Sequence, residues 1–139
     1  MDLKHLAETL KAKGVRPTQQ RLLVYRYLME HPIHATADTV YEALVPDNPS
    51  FSKTTVYNTI RVLTESGLLH PVTIDGGFIR YDANVSDHGH FKCNECGQIF
   101  DFPLREAQND FEELKDFKIY YRDFYLSGCC PSCQNQNKK

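Results

Sequence analysis

No apolar run in this 139-residue chain is long enough to cross a membrane, and residues 1–20 hold none of signal-peptide character. Both absences lead to the expectation of a soluble, cytoplasmic protein with no membrane partner. In such a reducing compartment, paired cysteines serve metals more often than disulfides. HExxH, GxSxG, a P-loop and a dinucleotide fingerprint are missing too, and the chain is too small to enclose a substrate pocket easily. The expectation is therefore not an enzyme. There is no excess of positive charge, since 16 Lys/Arg stand against 18 Asp/Glu for a net charge of −2. No internal repeat occurs beyond two CxxC units.

The distribution of charge is more informative than its total. Residues 1–26 hold Lys4, Lys11, Lys13, Arg16, Arg21 and Arg26 against Asp2 and Glu8, and residues 51–62 add Lys53 and Arg61 with no acid. Residues 27–50 carry four acids and no Lys or Arg. A face assembled from the two basic segments can meet phosphate although the whole chain is acidic. A solvated helix surface accounts equally well for the charge taken alone.

Hydrophobic periodicity predicts helices through the first half. Leu3, Leu6, Ala7 and Leu10 recur at helical spacing before Gly14. Thr18 can cap a second helix facing inward through Leu22, Tyr25 and Met29. Thr36 can cap a third carrying Val40, Tyr41 and Leu44, and Ser52 a fourth with Val56, Ile60 and Leu63 inward and Gly67 at its end. "LLHPVTI" and "FIRYD" then flank "DGG", which predicts a β-hairpin. Helices followed by a hairpin predict a winged helix over 1–82, with polar 83–87 as a hinge. Over 88–139, "QIFDF" reads as a strand, "PLREAQNDFEELKD" as a helix opened by proline, "FKIYYRDFYL" as a long aromatic strand, and "QNQNKK" as a frayed tail. The fold class expected is α+β: an N-terminal winged-helix DNA-binding domain and a C-terminal α/β dimerisation domain with a four-cysteine zinc site. About 55 residues cannot bury much alone, so the second domain needs a structural metal or a partner subunit.

The cysteines supply that metal site. Cys93 and Cys96 form one CxxC and Cys130 and Cys133 another, with 33 residues between the two units. Four soft thiolates select Zn²⁺ in a closed tetrahedral site, which can contribute about 10–16 kcal/mol of apparent binding energy to folding. Cys129 could replace Cys130, but Cys129 to Cys133 has the wrong spacing for a CxxC turn, so Cys129 is left as a spare thiol. Two disulfides or a redox dithiol are the competing explanation.

Histidines and carboxylates form a separable set. His88 and His90 alternate along an extended segment and can face one way. Asp101 lies between Phe100 and Phe102, Asp82 ends the hairpin, and His34 precedes the third helix. Singly, each is more often a solvated side chain than a ligand. On the fourth helix, Lys53, Thr54, Thr55, Tyr57, Asn58 and Arg61 share the polar face. Asn58 can read adenine, Arg61 guanine or phosphate, and Tyr57 a thymine methyl.

"RPTQQR", "HATADTVYEAL", "SKTTVYNTIRVLTESGLL", "YD" and "HGHFKCNECGQIFDF" together resemble, in order, the Fur family of metal-dependent repressors. The resemblance runs from about residue 3 to Cys133. It implies structural zinc on Cys93, Cys96, Cys130 and Cys133, and a regulatory Fe²⁺ or Mn²⁺ on His34, Asp82, His88, His90 and Asp101. It also puts Arg16 near the minor groove and Arg21 near phosphate. Asp at positions 82 and 101 resembles the peroxide-sensing PerR branch, whereas ferric-uptake regulators usually carry Glu at the second. A third metal site found in many ferric-uptake regulators looks absent, because Gly89 and Arg122 stand where its Asp and His would be.

The implied function is a homodimeric, metal-dependent repressor on double-stranded operator DNA. It would sense hydrogen peroxide through iron-catalysed oxidation of His34 and His88 and release peroxide-stress genes. An N/O donor set suits Fe²⁺ or Mn²⁺, which such sites hold weakly, so occupancy can follow supply. A metal tying both halves stabilises one placement of the domains, the differential binding a switch requires. An iron-level sensor of the ferric-uptake type is the alternative. A zinc-ribbon interaction module leaves His34, Asp82 and the helical half unexplained, and a non-haem iron enzyme lacks the motifs.

Overall fold

A computed structural model describes residues 2–32, 35–74, 77–83, 88–104, 111–119 and 122–137. The chain divides into two compact units, Met1–Val85 and Ser86–Lys139.

The first unit contains α1 (Leu3–Ala12), α2 (Gln19–Glu30), α3 (Ala37–Leu44) and α4 (Lys53–Glu65), then β1 (His70–Val72) and β2 (Arg80–Asp82). Each helix starts where a side-chain oxygen takes an orphan backbone N–H. Asp2 accepts from Lys4, Thr18 from Arg21, Thr36 from Thr39 and Ser52 from Thr55, each cap contributing about 1 kcal/mol. α4 stops at Gly67, whose φ of +86° only glycine adopts cheaply; the Leu68 N–H then bonds back to Leu63 O at 3.0 Å. The inward faces are those the periodicity predicts: Leu6, Leu10, Leu22, Tyr25, Val40, Val56, Ile60 and Leu63 are buried together. Each fully buried aliphatic side chain contributes about 1.5–3 kcal/mol. Met29, Tyr41 and Leu44 pack partly buried around this core.

β1 and β2 pair antiparallel, with His70 opposite Asp82 and Val72 opposite Arg80. The hairpin is shorter than "FIRYD" suggests, because Phe78 and Ile79 precede the paired residues and are exposed. A bridge between Thr36 and Arg80 and the Tyr81 N–H to Ala35 O bond, 3.0 Å, tie β2 to the chain entering α3. A helical bundle with a β-hairpin after its last helix is the winged-helix arrangement.

The second unit is a three-stranded sheet of order β4-β3-β5, made of β3 (His88–Cys93), β4 (Ile99–Pro103) and β5 (Tyr125–Gly128), with α5 (Pro131–Asn137) after it. β3 pairs antiparallel with β4 and parallel with β5. Over the described residues three expectations fail here. Pro103 closes β4 instead of opening a helix, and the described residues of that stretch hold only a 3-10 turn, Glu112–Leu114, with 105–110 outside the description. The aromatic strand is short and late. Among the described residues of that run, strand pairing starts at Tyr125, opposite His90 in parallel register, while 117–119 and 122–124 are outside any strand. The tail is not frayed at its start, since the Cys130 carbonyl accepts from Gln134 N–H at 3.0 Å and proline suits the first helical position.

Candidate metal centres and nucleic-acid interface

The core of the second unit is made of sulfur. Among the described residues its buried apolar cluster is Cys93, Cys130 and Cys133, with Phe91 and Cys129 against it. Among the described residues no aliphatic side chain takes part in that cluster, which leaves a stabilising role for a structural metal or a partner subunit.

The sulfur geometry fits one ion. The Sγ atoms of Cys93, Cys96, Cys130 and Cys133 all lie within 4.8 Å of one another, and Cys96 Sγ is 3.9 Å from Cys130 Sγ. A tetrahedron with metal–sulfur arms of about 2.3 Å has edges of about 3.8 Å. All five cysteines are unbridged. The first turn is shaped by Gly97, at φ +76°, whose N–H bonds back to Cys93 O at 2.9 Å while the Cys93 N–H bonds to Gln98 O. Backbone N–H groups of Cys96 and Cys130 point at Cys93 and hold its thiol down at about 6, favouring thiolate. Hydrogen bonding with Cys130 and burial push the Cys133 thiol up. Cys130 is the member of the cluster, and Cys129 turns its Sγ to the Cys130 carbonyl at 3.7 Å.

β3 and β4 build the second cluster. Register pairs His90 with Asp101, and the His90 Nδ1 lies 2.7 Å from Asp101 Oδ1. His88 is two residues along the same face, with Nε2 4.0 Å from Asp101 Oδ2 and its ring edge-on to His90, centroids 4.6 Å apart. The ligand atoms of these three residues fall within 4.8 Å of one another. Octahedral arms of about 2.1 Å give edges near 3.0 Å and diagonals near 4.2 Å, so two nitrogens and a carboxylate at these separations suit one ion. His90 is 3% exposed. Asp82, in the first unit, ends β2 and is buried, with relative exposure of 4%. His34 and the 84–87 part of the expected hinge lie outside the described residues.

Gly89, between the two histidines, is opposite Phe102 in the ladder. The Phe102 ring occupies the space a side chain there would need, and it stands edge-to-face with Phe124 at 6.0 Å. Gly89 therefore has a packing reason beyond its departure from the third-site pattern. That reason was invisible in the sequence because it depends on the β3–β4 register.

In the first unit, an open cleft of about 300 Å³ between the start of α2 and α4 is lined by Thr18, Gln20, Arg21, Thr55, Asn58, Thr59 and Val62. It brings Arg21 of α2 beside Thr55 and Asn58 of α4, which are distant in sequence. The Arg21 guanidinium donates to Arg16 O at 3.1 Å, linking both arginines. Asn58 and Arg61 are exposed on α4. Lys53 and Tyr57 are exposed but tied to α3: the Tyr57 hydroxyl donates to Asp38 Oδ1 at 2.6 Å, and Lys53 Nζ lies 4.0 Å from the same oxygen. The Asp38 hydrogen bond holds the Tyr57 phenol above its ordinary range. Asp38 is a residue the sequence reading missed; its only local signal is an acid in the first turn of α3.

A winged-helix unit with a basic helix face, followed by a small unit carrying a thiolate cage and a histidine–carboxylate cluster, defines the class of small metalloregulators. A model of the ferric uptake regulator family matches residues 12–126. The peroxide-responsive repressor PerR of Staphylococcus aureus (strain USA300) is 35% identical over 138 residues, covering 97% of this chain and 93% of that protein. The structure of Streptococcus pyogenes PerR, described for peroxide sensing and gene regulation, is 29% identical with a TM-score of 0.53, over 95% of this chain and 92% of that one. The Helicobacter pylori ferric uptake regulator Fur, solved with three functional metal-binding sites, has a TM-score of 0.74 at 23% identity, over 95% of this chain and 91% of that one, a likeness of fold. This chain belongs to the ferric uptake regulator family, whose members are metal-dependent transcriptional repressors and not enzymes.

Proposed function

We propose that this protein is a homodimeric repressor that binds double-stranded operator DNA when loaded with Fe²⁺ or Mn²⁺ and lets go on exposure to hydrogen peroxide. The observation that carries the reading is the pairing of His90 with Asp101 at 2.7 Å beside His88, a hard N/O cluster kept apart from the sulfur cage. Two donor sets of different softness serve two metals. Zn²⁺ on Cys93, Cys96, Cys130 and Cys133 holds the second unit together. His34, Asp82, His88, His90 and Asp101 hold the regulatory ion, and 83–87 is the hinge that its binding sets. Exposed Phe111, Leu114, Phe117, Ile119 and Leu126 give the second unit an apolar surface suited to a second copy.

Fe²⁺ held by His34, Asp82, His88, His90 and Asp101 would supply redox catalysis of peroxide attack on its own ligands, which Mn²⁺ does not supply readily. Over the net reaction a ring carbon of His34 or His88 would go from C–H to C–OH, the ring giving up two electrons and the other peroxide oxygen leaving as water. The modified ring loses its donor geometry, and the tie between the units is released. Arg16 meets the minor groove and Arg21 the phosphates, while Lys53, Thr55, Tyr57, Asn58 and Arg61 of α4 enter the major groove. Asp at 82 and 101 supports peroxide sensing over the iron-level alternative, as does the S. aureus relative. The test is DNA binding measured metal by metal, with and without peroxide. Fe²⁺-dependent binding lost to peroxide beside Mn²⁺-dependent binding that survives supports the proposal, and equal survival of both favours the iron-level sensor.

A further inference from the structure

The Tyr57 hydroxyl and the Lys53 ammonium both turn to a single carboxylate on another helix. Asp38 lies in the first turn of α3, and its Oδ1 accepts a hydrogen bond from the Tyr57 hydroxyl at 2.6 Å with Lys53 Nζ at 4.0 Å. Lys53 also stands over the Tyr41 ring of α3, 5.8 Å from its centroid. Both ends of the lysine–carboxylate contact are largely exposed, with side-chain exposures of 66% and 57%. An exposed ion pair contributes little to folding, so stability is a poor reason for two α4 groups to share an acid.

The consequences for a DNA-reading helix are specific. A tyrosine ring whose hydroxyl is fixed presents its edge in one direction, which a contact to a thymine methyl requires. A lysine drawn to a carboxylate is only partly free for phosphate, and phosphate contacts carry affinity without sequence information. An acid beside the reading surface repels every duplex equally, so only a duplex making the oriented contacts offsets the repulsion. That is specificity by penalising wrong partners.

We propose that Asp38 is a specificity-determining positioning residue, aiming the Tyr57 ring and withholding Lys53 from the phosphates of non-cognate DNA. The inference rests on the reading of α4 as the helix that enters the major groove. The held phenol of Tyr57 accords with it.

The test uses full-length, Mn²⁺-loaded protein, a duplex selected by this protein from a random pool, and a scrambled duplex of equal composition. Fluorescence anisotropy from 50 to 200 mM salt compares wild type, Asp38→Asn and Tyr57→Phe. In Asp38→Asn, the freed lysine should steepen the log–log salt slope by about 0.9, which is a change of about 3.5-fold across that salt range. Its preference for the selected duplex should fall by about fivefold, the lower bound for one misread base pair. Replacing thymine by uracil should weaken wild-type binding at one position and leave Asp38→Asn indifferent there. Tyr57→Phe should lose part of the preference and keep the wild-type slope, separating aim from charge. Carbon-13 tyrosine NMR of the free proteins should show the Tyr57 phenol titrating lower in Asp38→Asn. An unchanged slope and preference in Asp38→Asn, with the Tyr57 signal moved, overturns the proposal alone. A wild-type protein with no preference for any selected duplex overturns the DNA-reading assignment and the proposal with it.

Discussion

Replacing Gly89 by alanine should damage the histidine–carboxylate cluster without touching a ligand. A methyl group there would fall on the outer edge of the Phe102 ring, 2.5 Å from Cε2, 3.0 Å from Cε1 and closer still to Cζ. Carbon atoms prefer about 3.5–4.0 Å, so the ring must move by roughly 1 Å or the strands must part. Phe102 is not free to swing, because it packs edge-to-face on Phe124 and follows Asp101 directly. Overpacking of this kind costs about 1–3 kcal/mol, or about 5–20 °C in the melting of a unit this small. The same displacement reaches His88 and His90 on one strand and Asp101 on the other, and disturbed support of ligands lowers metal affinity about 10–100-fold. Isothermal titration with Mn²⁺ and calorimetric melting of the zinc-loaded protein measure the two effects separately. Gly89→Ala with wild-type Mn²⁺ affinity and melting temperature would refute the reasoning, since the Phe102 ring could then yield freely.

Cys93→Ser or Cys130→Ser should abolish zinc binding and leave the second unit unfolded by NMR and monomeric by ultracentrifugation, whereas Cys129→Ser should keep one zinc per chain by elemental analysis. Zinc affinity should fall as pH drops from about 9 to 6, because ions compete with protons for thiolates. The sign for Cys93 is fixed by its folded value of about 6, below the usual thiol range: its contribution is present above the unfolded value and lost as pH falls through 6. A competition titration with a chelator at several pH values checks this. Asn58→Ala and Arg61→Ala should each weaken operator binding by about 1–3 kcal/mol with both metals retained, read by anisotropy and metal analysis. Asp101→Glu should keep metal-dependent DNA binding but blunt peroxide sensitivity, and peptide mass spectrometry should then find less oxygen on His34 and His88 after stoichiometric peroxide.

Local signals sufficed where the physics is local. Thr18, Thr36 and Ser52 cap the helices they precede because each oxygen reaches an N–H only three residues away. The inward faces of α1 to α4 follow from a 3.6-residue period, and the turn follows from the four residues Cys93–Cys96 closed by Gly97. The CxxC spacing also selected Cys130 over Cys129, and the sulfur cluster includes Cys130. Over 103–104, 111–119 and 122–124 the same kind of reading failed. A proline that suits a helix start equally suits the end of an edge strand, and an aromatic run becomes a strand only as far as a neighbour accompanies it.

The remaining features depend on register between segments, which no local pattern encodes. The ladder sets Asp101 against His90 and Phe102 against Gly89, so one pairing creates the carboxylate–imidazole contact and requires the glycine beside it. The approach of α3 to α4 joins Asp38 to Tyr57, 19 positions apart in sequence, and changes an apparently free polar face into a held one. Sequence determined which residues carry the chemistry, because ligand type and helical period belong to the residues themselves. Tertiary structure decided which of them meet, because distances between segments are set by strand register and helix packing.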